Sequence, residues 1–220
     1  MEIKWTDKAI GVTAVAGCCG QDAKFDGASK AFKRILIAVI VINGAMFIAE
    51  ILAGIAAGSQ ALQADALDFL GDTATYGISL AVIGMPLAVR AKAALFKGIS
   101  LAIMGLWVFS STAYHVLVTN TPQAEVMGVV GFIALLANLA SVLLLLKYRN
   151  GDANVRSVWL CSRNDAIGNI AVMLAASGVW ASSSAWPDLI VAGIMAGLFL
   201  WSSLQIIRQA RAETLQSQPA

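Results

Sequence analysis

The stretch G-S-Q-A-L-Q-A-D-A-L-D-F-L-G-D, residues 58–72, decides the fold and points to the chemistry. It is apolar enough to sit in a membrane, yet it holds Asp65, Asp68 and Asp72. On a helix, steps of three and four residues return to one face, so the three carboxylates form a single stripe. Each charge at the centre of a bilayer costs about 2.5–3.5 kcal/mol on insertion scales. Three together need a partner, either a cation or a second polar helix.

The rest of the chain reads as an integral membrane protein. Of 220 residues, 59% are hydrophobic and 13% charged, against about 25% charged in soluble domains. Six apolar segments, at about 35–57, 61–89, 98–118, 125–146, 155–180 and 188–207, are each near the length a bilayer needs. The expectation is an all-α, polytopic protein with six transmembrane helices. Residues 1–34 read as a flexible tail, 35–207 as the membrane domain and 208–220 as a short tail with no second domain after it. The 15 Lys and Arg residues all fall in the tails, around the 2–3 and 4–5 connections or at the start of helix five; the other three connections have none. The positive-inside rule then predicts both termini on the cytoplasmic side of the cell (inner) membrane.

The same composition excludes several classes. A net charge of +2 gives no footprint for nucleic acid. Three cysteines, two of them adjacent, do not make a disulfide framework. V-A-G-C ending at Cys18 looks like a lipoprotein cleavage box, but its apolar run is short and Glu2 and Asp7 spoil a basic leader. No nucleotide-binding loop or activated nucleophile is present, so no enzyme and no cofactor are expected.

The polar residues inside the segments are the informative set. Helix five carries Cys161, Asn164, Asp165 and Asn169, with Cys161 and Asp165 one turn apart, as are Asp68 and Asp72. Two helices with a ligand pair each can surround one ion, and four ligands suit a tetrahedral divalent site. A thiolate tilts the choice toward zinc, cadmium or another soft metal; oxygen alone would favour magnesium, calcium or manganese. Such a cluster has more negative charge than a divalent ion compensates, so protons take its place when the ion leaves. That is the requirement for metal/proton exchange. The bland alternatives are a cysteine that fills space and aspartates that cap a break or pair with Arg163. Residues two apart point to nearly opposite faces, however, so Arg163 is expected to snorkel away from Asp165.

Asn43 and Glu50 share a face of helix one, and Glu50 either lines the same aqueous cavity or bonds helices together. His115 is either a proton relay or a packing residue near the far interface. Cys18 and Cys19 are candidates for metal capture before transfer. Gly54-x-x-x-Gly58 and Gly193-x-x-x-Gly197 are close-packing motifs, expected to serve within one bundle.

These residues resemble the cation diffusion facilitator family of divalent-metal exporters. Asn43, Glu50 and Gly54 resemble its first helix. Gly58-Ser59 followed by A-L-Q-A-D-A, residues 61–66, is similar to its entry to helix two, and Asp68-F-L-G-Asp72 stands where the family commonly has His-x-x-x-Asp. N-V-R-S-V-W-L-C-S-R-N-D, residues 154–165, puts Cys161 and Asp165 at the family's helix-five pair. The resemblance implies a homodimer that exchanges cytosolic metal for protons by alternating access, with the ion on Asp68, Asp72, Cys161 and Asp165. Asn43, Glu50, Asp65 and Asn169 are expected to support that shell or handle protons. Both ligand pairs lack histidine, and the family's usual C-terminal cytoplasmic domain is not expected here.

The expected function is export of zinc, cadmium or cobalt across the lipid bilayer in exchange for protons. The alternatives are soft-metal uptake through Cys18 and Cys19, and a non-transporting membrane subunit or metal sensor.

Overall fold

Ser29 starts the first helix by accepting a hydrogen bond from the Phe32 amide at 3.1 Å, as a serine at a helix start does. Gly58 ends it: at φ 66° it adopts the left-handed conformation that lets the Gly58 and Ser59 amides turn back onto the Ile55 and Gly54 carbonyls. The computed structural model describes residues 29–81, 87–118, 120–149 and 153–216. Within them run α1 (Lys30–Ala57), α2 (Gln60–Ala81), α3 (Leu87–Leu117), α4 (Ala124–Leu145), α5 (Ala153–Ser182) and α6 (Trp186–Gln216), with a single 3-10 turn at Leu146–Tyr148.

Five of these helices are long and apolar enough to cross a membrane. α2 falls short because its 22 residues include Asp65, Asp68 and Asp72. The all-helical fold with six long helices is therefore as the sequence predicts, and the helices are longer than their apolar segments. α3 starts at Leu87 and includes Arg90, Lys92 and Lys97, and α6 continues through Arg208 and Arg211 to Gln216, into the expected tail. Helical hydrogen bonding does not stop at the edge of hydrocarbon, whereas the apolar count does. The second segment was expected to reach 89, but residues 87–89 belong to α3.

α3 packs chiefly on α6, α1 on α2 and α4 on α5, while α2 touches α1, α3, α5 and α6. The aspartate stripe thus sits on the most enclosed helix. α1 faces the bundle with Phe32, Leu36, Val39, Asn43, Met46, Glu50, Gly54 and Ala57, a spacing of three and four that makes one stripe. Large apolar side chains such as Trp107, Leu143, Leu174 and Trp201 point outward, as lipid requires.

The two ends of the bundle differ. The basic end has the lysines and arginines; the far end has the turn at Gly58. Two apolar clusters divide the interior accordingly. One, with Leu62, Val108, Met127, Val172, Val179 and Phe199, fills the far half. The other, with Phe32, Leu36, Tyr76, Leu145, Tyr148 and Val158, fills the space between α1, α2, α4 and α5 at the basic end. Gly54 packs as its motif predicts: an added Cβ would lie 3.0 Å from the Gln63 backbone nitrogen. Gly193 and Gly197 do not, since a Cβ there meets nothing within 4 Å. That motif makes no close crossing within this chain.

Candidate metal site

Asp68 and Asp72 lie in the middle third of α2, one turn apart, both half-buried. Asp165 approaches from α5 and lies within hydrogen-bonding reach of both carboxyls. All three line one cavity of about 570 Å³, together with Asn164, Lys97 and Ser100. On α2 the lining runs from Asp68 to Ile78, on α3 from Phe96 to Met104, and on α6 from Phe199 to Ile206. Every one of these stretches lies toward the basic end. The carboxylates therefore line a cleft between the α2–α5 and α3–α6 walls, in the half of the bundle toward the basic end.

The walls add two polar fixtures. Tyr76, one turn beyond Asp72 and 1% exposed, donates its hydroxyl to Asp72 in a very short hydrogen bond. Lys97 donates to Ser79 at 3.1 Å, which puts one cation on the wall between the aspartates and the basic end. Among the described residues, no three His, Cys, Asp or Glu side chains converge closely enough to hold a metal ion as they stand.

Cys161 lies on α5, one turn toward the basic end from Asp165. Its side chain is outside the described residues, as are Cys18 and Cys19 entirely. Arg163 is exposed and stacks over the Trp159 ring at 5.5 Å, so it turns away from Asp165 as its two-residue offset predicts. Asn164 shares the cavity.

Asp65 is separate from this cleft. It is 2% exposed and accepts from Asn169 Nδ2 at 2.6 Å, while Asn169 Oδ1 accepts from Asn138 Nδ2 at 2.8 Å. Glu50, fully buried on α1, abuts the Asp65 carboxyl. No donor reaches either Glu50 oxygen, nor does Asn43 find a partner for its amide. Two carboxyls in contact can be joined only through a shared proton. Asp65, Asn169 and Asn138 thus form a buried hydrogen-bonded ladder through α2, α5 and α4, with the Glu50 carboxyl of α1 beside its Asp65 end. Glu50 does not line the cavity. Sequence reasoning overlooked Asn138; a lone asparagine at the centre of α4, an otherwise apolar helix, was the available signal.

His115 is half-buried, with Nδ1 2.8 Å from the Ser111 carbonyl at the far end of α3. Asp188 was missed as well. It caps α2 from α6: its Oδ1 accepts from Ser59 Oγ at 2.6 Å and the Ala61 amide at 3.1 Å, and its Oδ2 from the Gln60 amide at 2.8 Å. An aspartate one residue after Trp-Pro at a helix start reads as a cap of its own helix, which hid its long-range partner.

Comparisons with known proteins identify the family. Residues 89–213, more than half of the chain, match the cation efflux transmembrane domain. The metal cation efflux system protein CzcD of Cupriavidus metallidurans is 26% identical over 195 residues, covering 83% of this chain and 61% of that protein. The cation efflux system protein CzcD of Alcaligenes sp. is 27% identical over 180 residues, covering 76% of this chain and 57% of that protein. The chain thus spans about 60% of the length of these relatives. The matched stretch covers α3 to α6, and the chain belongs to the cation efflux family.

Proposed function

We propose that this protein exports a divalent transition-metal ion, zinc, cadmium or cobalt, from the cytoplasm in exchange for protons. One observation supports the reading: Asp68, Asp72 and Asp165, from two helices, line one cavity in the half of the bundle toward the basic end. The positive-inside rule assigns that end to the cytoplasm. Cys161, one turn from Asp165, is the fourth ligand in this reading and makes the site softer than carboxylates alone. The ion enters along the Lys97 wall, displaces protons shared among the carboxyls and is held with its charge largely balanced. When the cleft opens to the other side, protons replace it. The chain acts as a homodimer, as in the related family, with the bilayer as its solvent.

The test is metal accumulation in cells that lack other exporters. Expression should lower intracellular zinc or cadmium, and Asp72→Ala and Asp165→Ala should abolish the effect with normal membrane insertion. Variants that export as well as the parent would place the site elsewhere. Purified protein that moves no metal into vesicles under a pH gradient would return the chain to the subunit or sensor reading.

A further inference from the structure

The Asp188 carboxylate occupies the far end of the same inter-helix seam that the cleft follows from the basic end. It is 1% exposed and makes three bonds, to Ser59 Oγ and the Gln60 and Ala61 amides. These satisfy amides of the first turn of α2 that have no partner within the helix. Ser59 Oγ also accepts from the Leu62 amide at 3.0 Å, and the Gln60 side chain accepts from Ser111 Oγ on α3 at 2.6 Å. One buried knot therefore joins α2 to both α3 and α6. Below it, toward the aspartates, Leu62, Val108 and Phe199 close the interior with apolar side chains.

We infer that Asp188 is the latch of the outer gate: a positioning residue that holds α2 against α6 while the site faces the basic end and must release α2 for the ion to leave. The inference rests on the transport reading above. Its logic is geometric. The cleft separates α2 and α5 from α3 and α6 toward the basic end, where the Lys97–Ser79 bond spans it, and at the far end Asp188 of α6 holds Ser59, Gln60 and Ala61 at the start of α2. An exit path along the same seam has to part Asp188 from Ser59, Gln60 and Ala61. The α1–α2 hairpin is stiff at that point, with Gly58 in a left-handed turn and Gly54 packed on the Gln63 backbone. The hairpin therefore moves as one piece when the latch opens.

A reducible cross-link tests this. The Ser59→Cys, Asp188→Cys double variant, with Cys18 and Cys19 replaced by serine, is oxidised in proteoliposomes, and the link between positions 59 and 188 is verified by mass spectrometry. The linked protein should still bind cadmium by calorimetry yet move none under a pH gradient, and reduction should restore movement. Normal transport by the linked protein would overturn the latch. If the parent protein moves no metal, the transport reading fails and the latch falls with it. If the reduced variant is itself inactive, Asp188→Asn decides by hydrogen exchange. The latch predicts faster exchange at amides 60–62, retained cadmium binding and a transport rate changed by about tenfold or more, the scale of one hydrogen bond to a charged group. Loss of binding together with transport would mark Asp188 as a cap that only stabilises the fold.

Discussion

Asn169 Nδ2 on α5 donates to Asp65 Oδ2 on α2 at 2.6 Å, across 104 residues of sequence. Asp65 is 2% exposed and Asn169 fully buried, so neither group has water as an alternative. Replacing Asn169 with leucine strands a buried carboxylate. The expected cost is about 1–3 kcal/mol, read as a lower melting temperature in detergent. Combining it with Asp65→Asn should recover part of the loss, because the stranded charge is then gone. A double variant as unstable as Asn169→Leu alone would show that the bond carries no such weight.

Glu50→Gln places a permanent N–H donor beside the Asp65 carboxyl. The fold should hold, since the shape is kept. If this pair exchanges its proton during transport, the pH dependence of cadmium export should flatten while the apparent metal affinity stays close to that of the parent. A steep profile retained in the variant would confine Glu50 to structure.

Cys161→Ser exchanges a thiol for a hydroxyl at nearly constant size. Thiolate selects soft metals, and oxygen selects hard ones. Cadmium export should therefore fall far more than manganese or magnesium binding, measured by competition calorimetry on the same preparation. Equal loss for all metals, or no loss for any, would remove Cys161 from the ligand set.

Gly98→Ala tests the α3–α6 wall. A Cβ at this position would lie 2.8 Å from Ile207 Cγ1 and 3.1 Å from Ile206 Cγ2, on a line that also carries the Ser203 bond to the Gly98 carbonyl at 2.8 Å. Overpacking of this kind costs about 1–3 kcal/mol. The variant should melt lower and break the Ser203 bond, whereas Gly77→Ala, with open space around its Cβ, should be tolerated.

Much of this was legible in the sequence, because membranes simplify the reading. Segment length marked all six helices, and the i, i+4 spacing put Asp68 with Asp72 on one face. The seven-residue interval set Asn43 and Glu50 on the buried stripe of α1. What stayed hidden depends on partners far apart in the chain. No local pattern reveals that Asp188 serves α2 rather than its own helix, or that Asn138 and Asn169 complete a ladder to Asp65. Nor does spacing separate Asp65, which bonds inside the protein, from Asp68, which lines the cleft three residues later. That distinction comes from how α5 crosses α2.

The cleft and the apolar far half have an electrical consequence. A water-filled cavity brings the potential of the side it opens to as far as its inner end, so with the cleft open to the basic end the membrane voltage falls mainly across the layer of Leu62, Val108, Met127, Val172 and Phe199. Each elementary charge that crosses this layer exchanges about 2.3 kcal/mol with a 100 mV potential. An ion reaching Asp72 from the basic end crosses little of the field, whereas passage beyond Leu62 crosses most of it. In the exchange proposed above, voltage acts on the exit step more than on binding, and the charge carried by metal and returning protons through that layer sets how strongly the membrane potential drives or opposes each cycle.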